Sequence, residues 1–424
     1  MQPHSFTFFQ SMVAMAYDIQ LTALTYGGDA LGRLPDGRAA FVPFGLPGEL
    51  VRVDVVEEKR GHVRTTLLEV LEAAPGRIAP RCPHFMTCGG CHYQHMDYPA
   101  QLAAKEAILK EQLERIGGLP EVNIRPVVAS PQPWNYRNHV QFHLASDGKL
   151  GYQAARSSAI IPIHECHLPE QPLNALWPQL DFEALPGLQR VGLRLGMGED
   201  LMLVLESNQP DAPEFTVEEI PLSAVHLGPG GTLVLAGSDH IVMEVGGKPF
   251  KVSAASFFQV NTAQAGAMVS HLLAELPLEA GQTLLDVYCG VGLFSAFLAP
   301  KVGRLVGIEL SADACEDFAV NLDAFENVEL YEAPAEQVLA GVDFHPDVIV
   351  VDPPRAGLGQ ATLDGLLRQG ASHLAYISCD PATLARDAKR LVQGGYRLRQ
   401  VTPFDLFPQT YHIESISFWH KPRL

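Results

Sequence analysis

Long apolar runs are missing from this 424-residue sequence. None approaches the roughly eighteen residues that a membrane-spanning helix needs, so no membrane association is expected. No basic stretch ahead of an apolar one opens the chain, so no secretory signal is expected and the predicted location is cytoplasmic. Charge is sparse at 18% of residues, and bases are the minority, with 30 Lys and Arg against 48 Asp and Glu for a formal net charge of −18. That sign opposes nonspecific association with nucleic acid, although a local basic face can act against the mean. Cysteines number seven. An odd count in a long chain argues against a disulfide framework and for thiol or metal chemistry in a reducing compartment. Nothing in the sequence calls for an obligate protein partner.

What is present is 47% hydrophobic residues in a chain too long for one core, which predicts two or three domains. From Asp18 to Leu71 short alternating segments are separated by turn signals: Tyr26-Gly-Gly-Asp29, Leu34-Pro-Asp36-Gly and Gly45-Leu-Pro-Gly48. This spacing predicts a small β-barrel. Its glycine turns resemble those of a TRAM domain, an OB-like RNA-binding barrel. A generic barrel is the plainer alternative.

Cys82, Cys88 and Cys91 follow at x5 and x2 spacing around Gly89-Gly90, and Cys166 lies far downstream in Ile163-His164-Glu165-Cys166-His167. Three thiolates so spaced hold an iron–sulfur cluster if a fourth cysteine folds back. Zinc is the rival, because four sulfurs also suit it. An amphipathic helix is expected from Gln101 to Ile116, packing on a neighbouring domain. Residues 122–163 then hold Arg125, Arg137, Lys149 and Arg156 against one acid, Asp147, interleaved with Trp134, Tyr136, His139, Phe142, His143 and Tyr152. Aromatics that stack on splayed bases beside phosphate-binding Arg suit single-stranded or looped RNA, and a solvated sheet face is the alternative. Residues 170–250 alternate like antiparallel strands.

After Pro277 the pattern becomes strand–helix alternation. Leu284-Leu-Asp286-Val-Tyr288-Cys289-Gly290-Val-Gly292 is a strand running into a glycine-rich turn, and Glu309 ends a second strand about twenty residues later. The turn lets backbone approach a nucleotide-like ligand while the acid accepts from ribose hydroxyls. Because G-x-G-x-x-G is not kept, S-adenosylmethionine is preferred to a dinucleotide. Asp352-Pro-Pro-Arg355 ends a buried strand, and Ser378-Cys379-Asp380-Pro381 joins a strand to a helix. Ligands lie beyond the C-terminal ends of parallel strands, so Asp352, Arg355, Glu309 and Cys379 are expected to face one crevice. Helix N–H groups beside Cys379 are expected to favour its thiolate. Glu414 opens the last strand.

Together with Phe258-Gln259-Val-Asn261 and His412-Ile-Glu414, these motifs resemble the RNA uracil-5 methyltransferase family, and the cysteines resemble its iron–sulfur branch, the bacterial 23S ribosomal RNA enzymes. The resemblance covers residues 17–424. It implies a multidomain protein: a TRAM-like OB barrel at 17–76, a central α+β RNA-binding domain with an antiparallel sheet and an iron–sulfur cluster at 77–258, and a Rossmann-like α/β methyltransferase domain at 259–424. It implies an RNA (uracil-5-)-methyltransferase of class EC 2.1.1 using S-adenosyl-L-methionine, with 23S ribosomal RNA as partner through a loop or single-stranded uridine. By the same resemblance Cys379 is the nucleophile that adds to C6, and Glu414 removes the C5 proton. Gln259, Tyr288, Glu309 and Asp352 contact the cofactor, while Gln259, Asp352, Arg355 and Arg137 hold the substrate. Cys82, Cys88, Cys91 and Cys166 bind a [4Fe-4S] cluster. A transfer-RNA enzyme of the same mechanism is the alternative within the family. Outside it stand an amino-group methylase, which usually carries an aromatic where this chain has Arg355, and a non-catalytic iron–sulfur RNA-binding or redox-sensing protein.

Overall fold

The computed structural model describes residues 16–180, 182, 187–209, 221–342 and 344–422. The chain divides into two compact units, one running to Ala79 and including His95–Asp97, the other comprising Pro80–Gln94 and Tyr98 onward.

In the first unit, strands β1 (Tyr17–Leu24), β2 (Ala30–Arg33), β3 (Ala39–Val42), β4 (Leu50–Glu58) and β5 (His62–Glu72) close a barrel in the order β1-β2-β3-β5-β4. Alternation puts Ile19, Leu21, Val51, Val53 and Val63 inside, and closure removes the unpaired sheet edges. Glu49 is fully buried and accepts from Arg77 Nη2 at 2.7 Å and from the amide of Leu46 at 2.8 Å.

The second unit opens with the cysteine loop and helix α1 (Tyr98–Arg115). Strands β6 (His139–Leu144), β7 (Leu150–Gln153) and β8 (Ile160–Pro162), helix α2 (Gln171–Leu176), and strands β9 (Leu188–Leu195), β10 (Leu201–Ser207), β11 (Ser223–Gly228) and β12 (Gly231–Ala236) follow. The sheet order is β12-β11-β10-β9-β6-β7-β8. It departs from the antiparallel expectation at one pair, because β10 and β11 run parallel. A parallel pair needs a connection of a dozen or so residues, which the stretch 208–222 supplies. A hairpin, β13 (His240–Val245) and β14 (Lys248–Ser253), leads to helix α3 (Thr262–Glu275), whose N-cap Asn261 accepts from Gln264 N at 3.2 Å.

The last part alternates β15 (Thr283–Val287), α4 (Ser295–Leu298), β16 (Arg304–Glu309), α5 (Ala312–Asn321), β17 (Val328–Glu332), α6 (Ala335–Gly341), β18 (Val348–Val351), α7 (Gln360–Gln369), β19 (His373–Ser378) and α8 (Pro381–Gln393). It ends on β20 (Arg397–Phe404) and β21 (Glu414–His420). The order is β17-β16-β15-β18-β19-β21-β20, parallel except that β21 inserts antiparallel to both neighbours. Fully buried Val348–Val351 and Leu374–Ile377 show why these strands read as continuous apolar runs, since helices cover both faces.

Helix α1 buries Gln101, Lys105, Ile108, Leu109, Gln112 and Leu113, a stripe at helical spacing. Leu109 and Leu113 share a core with Leu384, Ala385 and Ala388 of α8. Lys105 Nζ donates to Asp405 Oδ1 at 2.5 Å and to the carbonyl of Phe407 at 3.0 Å, with both ionic side chains at 0% exposure. Removing one partner strands a charge in the interior, so Asp405→Ala should destabilise the protein by about 3–5 kcal/mol in urea unfolding, and the apolar double replacement Lys105→Met/Asp405→Leu by much less.

Candidate active site

Four parallel strands end along one edge: β15 before Tyr288, β16 at Glu309, β18 before Asp352 and β19 before Cys379. Because β21 is antiparallel to β19 with Ser378 opposite Ser415, its first residue, Glu414, arrives at that same edge across from Cys379. Register alone therefore places the nucleophile and base candidates side by side.

The glycine-rich turn is built by backbone. Tyr288, at φ 65°, and Cys289 both donate to the Ile308 carbonyl, at 2.9 and 3.1 Å. Gly292, at φ +87°, packs so closely that an added Cβ would lie 2.3 Å from Leu322. Glu309 accepts from the amides of Gly290, Leu310 and Ser311 at 3.0, 2.7 and 2.8 Å, so its carboxylate braces the turn that it was expected to complement only through a ligand. Tyr288 Oη lies 3.5 Å from Thr362 Oγ1. Asp286 is 1% exposed; one carboxylate oxygen accepts from Ser295 Oγ at 2.6 Å and the other has no hydrogen-bond partner among the described residues. Burial, opposed by the Ser295 bond and aided by Glu309, raises its pKa to about 7.

The loop Asp352–Gly357 is clamped by α8. Buried Asp387 accepts from the Leu358 amide and Tyr376 Oη, both at 2.8 Å, while Arg386 Nη2 donates to the Ala356 carbonyl at 2.9 Å. Gly357 needs its φ of +72°, and a Cβ there would meet Arg386 and Asp387 at 2.5–2.6 Å. Sequence reading did not assign Arg386 or Asp387 a task, although both sit in the stretch after Cys379.

Cys379 is half-buried and its thiol is pushed up to about 12, by burial first, then by Glu414 and Asp352, with Arg355 opposing. This corrects the expectation that the helix N-terminus favours a thiolate. The physical reason is that burial and the two acids outweigh the helix terminus, whose Ala382 and Thr383 amides are already taken by the Asp380 carboxylate, both at 2.9 Å. Burial and Asp352 also hold Glu414 well above the carboxylate range, with Arg355 again opposing. Asp352 is raised to about 7 by burial and by Asp286. Cys379, Asp352, Arg355 and Glu414 thus form one electrostatic group, linked through Asp286 to the glycine-rich turn.

Gln259 is buried on the loop before α3, where its carbonyl accepts from Asn138 Nδ2 at 3.0 Å. That loop is held from behind by Arg194, which donates to the Ser253 and Ser256 carbonyls at 2.9 Å. Arg137 has its guanidinium 5.6 Å from the Phe407 ring centre and a buried Nε without a hydrogen-bond partner among the described residues. Of the aromatics expected on the RNA-facing stretch, Tyr136 and Phe142 are instead core, Phe142 packing on Tyr152 and Trp177 at 5.1 and 5.5 Å. Strand alternation turns Phe142 inward, and Tyr136, on the loop before β6, is buried with its hydroxyl on the Pro408 carbonyl. Trp134 remains accessible, with Arg81 5.3 Å from its ring centre.

Cys82, Cys88, Cys91 and Cys166 are free thiols on adjoining loops. Cys88 bridges to Ala154, Gly89 donates to the Gln153 carbonyl at 2.9 Å, and Gly90 N points at Cys88 Sγ at 3.4 Å. All four thiols are raised mainly by burial, and Cys91 and Cys166 each feel the charge of the other cysteines. Among the described residues, no three His, Cys, Asp or Glu side chains are drawn together as a single bound metal ion requires.

A family model described as tRNA (Uracil-5-)-methyltransferase matches residues 240–421, and a TRAM-domain model matches residues 10–68. An uncharacterized RNA methyltransferase of Gloeobacter violaceus is 35% identical over 94% of this chain and 95% of its own length. The chain belongs to the RNA uracil-5 methyltransferase family. Another such relative, from Aquifex aeolicus, is 34% identical over 93% of this chain and 96% of its own. The crystal structure of Pyrococcus abyssi tRNA (uracil-54, C5)-methyltransferase with S-adenosyl-L-homocysteine shares the fold, with a TM-score of 0.72 over 95% of this chain and all of that one at 24% identity. This family member is an RNA methyltransferase with an N-terminal TRAM domain. Among the described residues no helix is long and apolar enough to cross a membrane.

Two titrations check the electrostatics. Because the Cys379 thiol is raised, its alkylation by iodoacetamide, followed by peptide mass spectrometry, should climb about tenfold per pH unit from 7 to 9 without a plateau. For Asp286 the folded-state pKa lies above the unfolded value of 3.8, so the native state holds the proton more tightly and stability falls as pH rises from about 4 through 7. Asp286→Asn should match the parent near pH 4 and exceed it in urea resistance at pH 8.

Proposed function

We propose that this enzyme methylates C5 of a uridine in 23S ribosomal RNA through a covalent bond between Cys379 and C6 of the base. The observation that carries the reading is Cys379 set against Glu414 across β19 and β21, with Asp352 and Arg355 facing both. C5 of uracil is a poor nucleophile, and sulfur addition at C6 turns it into an enolate-like carbon. S-adenosylmethionine, when bound, supplies the methyl group as a sulfonium, and Gln259, Tyr288, Glu309 and Asp352 are the residues assigned to hold it. Arg355, Gln259 and Asp352 hold the uracil edge and the oxygen that gains charge, and Arg137 contacts the RNA. The uridine leaves its stack to reach the sulfur, which costs least in a loop.

Cys379 gives up its thiol proton to solvent in the crevice as sulfur bonds to C6, and the electron pair this places on C5 and the uracil oxygen is used when C5 takes the methyl group. The Glu414 carboxylate, which Arg355 favours, then takes the C5 proton, and the C6–S bond breaks to release Cys379 as thiolate.

Cys82, Cys88, Cys91 and Cys166 are assigned to a [4Fe-4S] cluster in the central RNA-binding region of the three-part division 17–76, 77–258 and 259–424. The donor set supports this. Four half-buried thiols on adjoining loops, each raised mainly by burial, become thiolates most readily beside the positive charge of a metal centre. No step of the reaction passes through the cluster. A transfer-RNA substrate is the second reading, favoured by the description of the matching family model. Mapping 5-methyluridine in ribosomal and transfer RNA with and without the protein decides between them.

Cys379→Ala should lower methylation by at least about a thousandfold and form no adduct with 5-fluorouridine RNA. Glu414→Gln should slow turnover by about a hundredfold or more while the adduct with ordinary RNA accumulates on denaturing gels. Anaerobically purified protein should absorb broadly in the visible and contain iron rather than zinc.

A further inference from the structure

Between β20 and β21 the chain crosses from Phe404 to Glu414 as a strap, residues 405–413, and nearly every part of it is gripped by the central region. Lys105 holds Asp405 and the Phe407 carbonyl, and Tyr136 Oη donates to the Pro408 carbonyl at 3.1 Å. The tightest grip is on Gln409, which is 3% exposed and sits at φ 69°, a conformation that glycine would ordinarily supply. Its amide donates to Gln101 Oε1 and its side-chain oxygen accepts from Gln101 Nε2, both at 3.0 Å. Its carbonyl accepts from the amides of His92 and Tyr93, at 2.8 and 3.0 Å. Gln101 Nε2 also reaches the Tyr93 carbonyl at 3.3 Å, closing a buried ring of hydrogen bonds among α1, the cysteine loop and the strap. His92, the residue next to Cys91, packs edge-on against Tyr411 with ring centres 4.4 Å apart. Three residues beyond Tyr411 the strap ends at Glu414.

We propose that the cysteine loop is a positioning element for the catalytic strap, with Gln409 and Gln101 as positioning residues that pass the order of the cysteine centre to Glu414. Binding of the metal centre fixes Cys91, and with it the His92 and Tyr93 amides that hold the Gln409 carbonyl. Loss of the centre frees those amides and loosens the start of β21, while Cys379, carried on the separate β19–α8 turn, stays in place. The inference rests on Glu414 acting as the base, and the step it governs is release of the adduct rather than its formation.

Hydrogen exchange on the whole protein tests the coupling without any variant. Amides of residues 405–413 should exchange at least about tenfold faster after anaerobic chelation of the metal, or in Cys91→Ser, with β18 and β19 unchanged. Unchanged strap exchange overturns the proposal. Gln101→Leu should bind S-adenosylhomocysteine and form the 5-fluorouridine adduct within about twofold of the parent, yet release the ordinary uridine adduct about tenfold more slowly. Gln409→Asn, which keeps an amide and tolerates the left-handed φ, should show a smaller effect of the same kind. Equal slowing of adduct formation and release in both variants also overturns it. If Glu414→Gln instead turns over normally, the base assignment falls, and the exchange measurement still decides whether the cysteine loop orders the strap.

Discussion

The chemistry proposed for this enzyme depends on crowding acidic groups at one sheet edge. Cys379, Glu414, Asp352 and Asp286 are held where water is scarce, and each makes ionisation of a neighbour harder. Such a site keeps its nucleophile as a thiol at rest. A resting thiol is inert toward oxidants and stray electrophiles, and it becomes a nucleophile only when something in the crevice accepts the charge. Arg355 stands opposite these groups, on a loop that α8 holds through Asp387 and Arg386. The helix that follows Cys379 therefore also anchors the loop of Arg355, so the proposed nucleophile and its counter-charge are tied to one element.

The same economy explains why the central region and the methyltransferase sheet form a single unit. Helix α1 lies in the chain far from β20, yet its buried face carries Gln101 and Lys105 as well as Leu109 and Leu113. The leucines supply nonspecific burial against α8. The polar pair fixes register, because a buried amide or ammonium has only one place where its hydrogen bonds are satisfied. A sliding helix would strand both.

How much of this was legible depended on whether the chemistry was local in sequence. The glycine-rich turn with its distant acid, Asp352-Pro-Pro-Arg355 and Ser378-Cys379-Asp380-Pro381 each combine a strand end with its special residues in a few positions, and so each could be read. The thiolate at a helix N-terminus was a local inference that failed, because burial and the acids Glu414 and Asp352, which reach Cys379 from other strands, raise the thiol. Tyr136 and Phe142 looked like an RNA-facing series because aromatics near arginines do not disclose whether they point outward or into the core. The task of Lys105 was illegible for a different reason: its partner is three hundred residues away. Glu414 gained its place from an antiparallel strand inserted beside β19, a pairing that nothing local to either strand specifies.

A polyanionic substrate makes the charge problem sharper. RNA brought to a protein of net charge −18 adds negative potential near Cys379 and opposes the thiolate still further. The way out is for charge to leave the sulfur as it forms. Addition at C6 moves the negative charge from sulfur through the ring to the uracil oxygen. Asp352, whose pKa burial and Asp286 raise to about 7, can donate there in its acid form, with the Arg355 guanidinium beside it. The acids that raise the thiol thus include a hydrogen-bond donor for the charge-bearing adduct of the proposed reaction. Stabilisation is directed at the state in which the base is attacked rather than at the free nucleophile, as differential binding of a transition state requires.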